Sequence, residues 1–153
     1  MKRLLYFLGV LVFTLNAISC KDCYFIENDL HGVWQVTSVE RLSTGEVAEP
    51  AGDLYYMFQR SMVMLGRRSL TVPESMVRYI AHFDFLSSDS LGMGDFRLFS
   101  TGEGSQINKE EKVPVSSLRK YGIFEDYTLF HMQLSRNKMI LISDSARVVM
   151  RKY

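Results

Sequence analysis

Apolar and polar residues alternate along much of the chain, and residues 77–85 carry the longest unbroken example. The two alternating sets are Val77, Tyr79, Ala81, Phe83 and Phe85 on one face and Arg78, Ile80, His82 and Asp84 on the other. A period of two residues is typical of a strand that buries one face. This segment therefore predicts a half-buried β-strand.

Seven further segments have strand-like patterns, and short runs of Gly, Pro, Ser, Asn or Asp separate most of them. They are 33–42, 54–59, 62–68, 93–100, 127–135, 138–143 and 146–152. In the first of them, Trp34, Val36 and Ser38 are expected on one face. Segments 46–53 and 101–112 read as loops. Segment 114–122 predicts a short helix that Ser116 or Ser117 caps and Gly122 ends.

Eight short strands at even spacing, most of them joined by tight turns, predict an all-β, antiparallel fold. An eight-stranded up-and-down barrel removes every sheet edge, and a β-sandwich is the competing architecture. The 153 residues fit one domain, and 47% of them are hydrophobic, which is typical of a globular chain. No internal repeat or domain boundary is apparent.

The first 19 residues have the three parts of a secretory signal. Lys2 and Arg3 form a basic start, residues 4–15 are apolar, and small residues follow before Cys20. Twelve apolar residues are too few for a stable membrane-spanning helix, which needs roughly 20. Residues 1–19 are therefore predicted to be a cleaved signal peptide.

Residues 17–20, Ala-Ile-Ser-Cys, resemble a bacterial lipobox, in which the cysteine becomes the lipidated first residue. The resemblance implies that Cys20 is lipidated, that 20–28 form a lipid-anchored tether, and that the protein lies in the cell envelope as an outer-membrane lipoprotein. Ala17 departs from the leucine usual in that motif. The alternative is an ordinary signal peptidase site, with Cys20 and Cys23 forming an oxidised C-x-x-C pair.

Residues 30–34, Leu-His-Gly-Val-Trp, place a G-x-W motif at the start of the first predicted strand. This opening resembles that of lipocalins, and more narrowly that of small lipocalin-like lipoproteins of Bacteroides-type bacteria. The resemblance covers 29–153 and implies an eight-stranded lipocalin-like barrel. It also implies that Gly32, Trp34 and a last-strand arginine, Arg151 or Arg147, close one end of that barrel. The second and third lipocalin motifs are not recognisable here.

The apolar faces of the predicted strands nominate a set of lumen residues that would bind a small apolar ligand. They are Trp34, Tyr56, Phe58, Tyr79, Phe83, Phe96 and Met132. The alternative is a barrel filled by these same side chains, because eight-stranded barrels are often filled. A filled barrel would act as a structural or protein-interaction subunit of an envelope complex. Its outward apolar residues Met57, Ile80 and Leu129 would then be the candidates for an exposed apolar docking patch.

The remaining chemistry argues for a non-enzymatic protein. The net charge of +1 gives no reason to expect a nucleic-acid partner. His31, His82 and His131 lie on separate segments without metal-ligand spacing, so no metal or other cofactor is expected. No G-x-S-x-G or H-E-x-x-H motif is present. An enzyme inhibitor that uses loop 101–112 is a further, weaker alternative.

Overall fold

The computed structural model describes residues 29–68, 77–100 and 107–153. The predicted signal peptide, Cys20, Cys23 and the tether lie outside these residues. The strands are β1 (Gly32–Arg41), β2 (Glu46–Ala48), β3 (Leu54–Gln59), β4 (Met62–Arg67), β5 (Val77–Ser87), β6 (Ser90–Ser100), β7 (Ile107–Lys112), β8 (Tyr127–Leu134), β9 (Lys138–Ile142) and β10 (Ala146–Lys152). One short helix, α1 (Val115–Leu118), runs into a 3₁₀ helix, Arg119–Tyr121.

Eight of these strands form a closed antiparallel barrel, as predicted. The order is β1-β3-β4-β5-β6-β8-β9-β10, and β10 pairs back onto β1 from Trp34 opposite Lys152 to Arg41 opposite Ala146. Because the first and last strands pair with each other, the sheet is a closed barrel and the sandwich alternative is wrong. We call the end where β1 begins the indole end, and the end where β1 finishes the mouth.

Strands β2 and β7 lie in segments that the sequence predicts to be loops. Each of them pairs with the part of a barrel strand that the neighbouring barrel strand does not reach. β3 pairs with β1 only as far as Gln35, and β2 then pairs with Val39–Arg41. In the same way, β8 pairs with the first half of β6 and β7 pairs with the second half. Short or charged strands are typical of sheet edges, and neither shows the apolar alternation on which the prediction depended.

The prediction that Ser38 shares a face with Trp34 and Val36 is wrong, because β1 contains a β-bulge. The register with β10 shifts between Val36 and Ser38, so two residues of β1 occupy the space of one. Val39 therefore joins Trp34 and Val36 among the buried residues, and Ser38 does not. The Thr37 hydroxyl donates a hydrogen bond of 2.9 Å to the Val149 carbonyl at this bulge.

The predicted helix is confirmed, but its predicted cap is wrong. Pro114 occupies the N-cap position, and no side-chain hydrogen bond caps the helix. Gly122 ends the 3₁₀ helix with φ of 82°, and its N–H donates to the Arg119 carbonyl. A side chain at Gly122 would also collide with Val148, so this position requires glycine for its conformation and for its close packing.

Candidate functional site

The indole end of the barrel is closed by Trp34, which is fully buried. Its Nε1–H donates a hydrogen bond of 2.7 Å to the Leu30 carbonyl. Lys152 covers the ring, with Nζ 5.1 Å from the ring centroid, and donates a 2.9 Å hydrogen bond to the Asp29 carbonyl. Gly32 takes φ of 121°, and a Cβ there would stand 3.5 Å from Lys152 Cε. The residues just before β1 are thus held against the end of β10.

The resemblance implied Arg151 or Arg147 over the tryptophan, and the structure corrects this to Lys152. Trp34 faces Lys152 across the β1–β10 pair, whereas Arg151 faces Gln35. Successive side chains on a strand point to opposite faces, so Arg151 lies outside, where its Nε donates 2.6 Å to Gln35 Oε1. Arg147 is exposed and lies 3.7 Å from Glu40. Only the strand register could have identified Lys152.

The seven predicted lumen residues do face the barrel interior, and they pack on one another there. Trp34, Tyr56, Phe58, Phe83, Phe96 and Met132 are buried, and Tyr79 is partly exposed. The ring of Phe58 lies 5.9 Å from that of Tyr56 and 5.3 Å from that of Phe83. Six of the seven side chains are at most 4% exposed, so the part of the interior that they line is filled by the protein's own residues.

A segment that the sequence did not assign to the site plugs the mouth. Tyr121, at the end of the 3₁₀ helix, packs edge-on against Tyr56 and Tyr79 at 6.2 Å. The Tyr56 hydroxyl donates a buried hydrogen bond of 2.5 Å to the Tyr121 carbonyl. Leu118 and Ile123 are also buried beside it. The apolar residues within this short helical segment were the only sequence signal of the plug.

Burial raises the pKa of the hydroxyls of Tyr56 and Tyr121 well above the ordinary value of 10.0. Burial disfavours the phenolate, and a neighbouring tyrosine disfavours it further, Tyr121 for the phenolate of Tyr56 and Tyr79 for that of Tyr121. Both groups therefore stay protonated in the folded protein at pH values at which the unfolded chain ionises.

We expect the free energy of unfolding to fall as the pH rises above about 10, by about 1.4 kcal/mol per pH unit for each of these tyrosines. The stabilisation is complete below the unfolded pKa, because both states are then protonated. Urea unfolding between pH 8 and 11 measures the slope. Tyr56→Phe should remove about half of it, and Tyr153→Phe, at a 70% exposed ring, should not change it. Equal slopes in all three proteins would contradict the assignment.

Two recesses flank the plug at the mouth. The larger, of about 380 Å³, lies between segment 46–53 and the 3₁₀ helix. Its floor includes the buried Val39 and Leu54, and Arg119 and Lys120 stand at its rim. The smaller, of about 320 Å³, lies on the other side of Lys120 against Tyr79. The larger recess thus offers apolar contact with Val39 and Leu54, and its rim carries the cations of Arg119 and Lys120 together with the carboxylate of Glu49.

The outer wall carries a separate apolar recess of about 510 Å³. Met57, Met64 and Ile80 lie in one cross-strand row and line it together with Met62. Leu129 does not belong to this group, because it lies on β8, opposite Gly92, and is 56% exposed. The structure therefore brings together two of the three residues that were candidates for an exposed apolar patch, Met57 and Ile80.

Within residues 29–68, 77–100 and 107–153, no group of three metal-binding side chains is found. His31 Nε2 accepts a hydrogen bond of 3.1 Å from the Arg60 backbone, and His131 lies 3.5 Å from Asp89. The same described portion of the chain contains no helix with the length and hydrophobicity that crossing a bilayer requires.

The closed barrel, the buried G-x-W indole and the short helix at the mouth define a lipocalin-like architecture. Residues 11–153 match the family model of the lipocalin-like domain, and the chain belongs to that family. Lipocalin-like folds are typically those of binding proteins rather than enzymes.

Two solved structures have a similar fold. A lipocalin-like protein from Bacteroides uniformis is 16% identical, with a TM-score of 0.56 over 82% of this chain and 99% of its own. An uncharacterized protein from Bacteroides eggerthii is 18% identical, with a TM-score of 0.59 over 81% of this chain and 99% of its own. At these identities the likeness shows the fold alone. No curated protein matches the chain.

Proposed function

We propose that this protein is a lipid-anchored, non-catalytic binding protein of the cell envelope. Its ligand is a small amphipathic molecule with an apolar chain and an anionic group. The observation that carries the proposal is the mouth recess of about 380 Å³, which has an apolar floor and, besides the Arg67–Asp53 salt bridge, two cations, Arg119 and Lys120, against one carboxylate, Glu49. Binding pockets for small molecules are typically apolar with a few placed polar groups, and their volumes begin near 300 Å³.

The mouth recess is a better candidate than the lumen, where the ligand was first expected. Tyr56 and Phe58 fill the described interior, and Tyr121 covers it. A ligand in the lumen would have to displace these rings, and deleting a large buried side chain typically costs about 3–5 kcal/mol. A ligand in the recess displaces only water from Val39, Leu54 and the side chains around them.

The rim supports an anionic group on the ligand. Arg67 also lines the recess and makes a salt bridge to Asp53, so its charge is already matched. Arg119 and Lys120 are exposed and follow one another on the 3₁₀ helix. Lys120 Nζ lies 5.6 Å from the Tyr121 ring centroid, which holds it beside the plug. A carboxylate above the apolar floor would lie within reach of both cations.

Octanoate is a simple probe for this site, used with the acylated mature protein in lipid nanodiscs and with empty nanodiscs as the blank. We expect saturable binding that weakens about tenfold or more in Arg119→Glu/Lys120→Glu, because hydrogen bonds to charged groups contribute about 1.5–3 kcal/mol each. Arg136→Glu/Lys138→Glu makes the same charge change at the indole end and should bind normally. Equal loss in both variants, or no saturable binding, would contradict the proposal.

The lipid anchor is supported by the signal-like start of the chain and by the lipobox-like residues that end at Cys20. Intact-mass measurement of the protein purified from its native membrane should show an acylated Cys20 as the first residue. Cys20→Ser should abolish the modification and release the protein from the membrane fraction. An unmodified mature cysteine would refute the anchor and leave the recess to be tested by itself.

A further inference from the structure

We propose that the indole end of the barrel rests on an anionic lipid bilayer, and that the tip of the β5–β6 hairpin inserts Leu86 among the lipid headgroups. The inference rests on the lipid anchor proposed above and adds an orientation to it. The mouth recess would then face away from the membrane.

The topology places several features at one end of the barrel. The described chain begins at Asp29, whose carbonyl is held by Lys152 at the indole end. In an antiparallel barrel alternate turns share an end, so turns 60–61, 88–89 and 135–137 lie at the same end as the start of β1. Cys20 precedes Asp29 by nine residues, which span at most about 30 Å. A lipid on Cys20 therefore keeps this end near the bilayer.

The β5–β6 hairpin extends past β4 at that end, whereas β8, on its other side, continues beyond the turn at 88–89 to Leu134. Pairing of β4 with β5 stops at Met62 opposite His82, and the last hydrogen bond runs from the Phe83 N–H to the Ser61 carbonyl. β5 continues to Ser87, paired there only with β6. Leu86 lies on this extension and is 58% exposed. When the indole end faces the bilayer, this exposed leucine lies where apolar side chains of surface-bound proteins enter the headgroup region.

The indole end as a whole carries more cations than side-chain carboxylates. Arg60, Arg136 and Lys138 are exposed in turns or at a strand start of the indole end, and Lys152 lies beside them. The side-chain carboxylates at this end are those of Asp29, Asp84 and Asp89, and Asp84 lies on the same β5 extension as Leu86. Asp89 lies 3.5 Å from His131. Basic residues near an anionic leaflet contribute about 1 kcal/mol each, so the lipid surface favours this end.

An environment-sensitive fluorophore tests this orientation on the acylated mature protein, reconstituted in vesicles of phosphatidylethanolamine and phosphatidylglycerol. The label is placed at Leu86→Cys or at Val47→Cys, each with Cys23→Ser. Val47 is matched in exposure, at 54%, and lies on β2 at the mouth. We expect a blue shift and quenching by spin-labelled lipids at position 86, and neither at position 47.

Arg136→Glu/Lys138→Glu should reduce the quenching at position 86, because it reverses charges that face the lipid. An acylated, vesicle-bound protein whose two labels behave alike would overturn the inference and leave the anchor intact. Undiminished quenching at position 86 in Arg136→Glu/Lys138→Glu would overturn the electrostatic part of the inference. A protein without the acyl mass that does not float with vesicles would instead refute the proposed anchor.

Discussion

Trp34→Ala is expected to lower the free energy of unfolding by about 3–5 kcal/mol. Trp34 is fully buried, so alanine leaves a cavity at the indole end. The change also removes the donor to the buried Leu30 carbonyl and the ring under Lys152. Because small domains are typically stable by only about 5–15 kcal/mol, this is a large share of the total. Urea unfolding followed by circular dichroism measures the loss.

Trp34→Phe is the matched variant, and it keeps the measurement possible if the alanine variant does not fold. Phenylalanine retains much of the buried apolar surface but has no N–H group for the Leu30 carbonyl. We expect it to cost less than alanine but more than about 1 kcal/mol, the lower range for a buried group left unpaired. A loss below that value in both variants would show that the indole does not close the barrel.

Tyr121→Ala is expected to cost about 3–5 kcal/mol as well, and to open the filled interior. Its ring contacts Tyr56 and Tyr79, so its removal leaves an apolar cavity between them and the mouth. Apolar cavities of this kind stay dry and bind small apolar molecules. Benzene should therefore raise the unfolding midpoint of Tyr121→Ala but not that of the wild type.

Tyr121→Phe is the control, because it keeps the ring that plugs the mouth. We expect it to lose little stability and to show no stabilisation by benzene. Stabilisation of the wild type by benzene would mean that the lumen is already accessible, and would restore the ligand site first expected from the sequence. The absence of any benzene effect in Tyr121→Ala would mean that the core collapses around the deleted ring.

The barrel could be predicted because its signals are local. The alternation in 77–85 and the glycine at Gly122 each report on their own segment, and the structure confirms the strand and the helix end that they predict. The bulge in β1 could not be predicted in the same way. It depends on the register with β10, so the change of face after Val36 has no marker in the alternation itself.

The site was harder to predict than the fold for the same reason. The alternation correctly predicted that Phe58 and Phe83 point inward. Only their contact with each other in the structure shows that they fill the space a ligand would need. Lys152 and Tyr121 close the two ends because of strand register and because of a contact with Tyr56, 65 residues away in sequence. Such long-range geometry leaves no trace in composition or periodicity.

We propose a filled barrel core and a ligand that binds at the mouth. An NMR titration of the acylated protein in nanodiscs with octanoate tests it most directly, using methyl groups of the buried Met93 and Met139 and amides of Ala51 and Lys120. We predict shifts at Ala51 and Lys120 while both methyl groups stay unchanged. Saturable shifts of the Met93 and Met139 methyl groups would place the ligand in the lumen and contradict the claim.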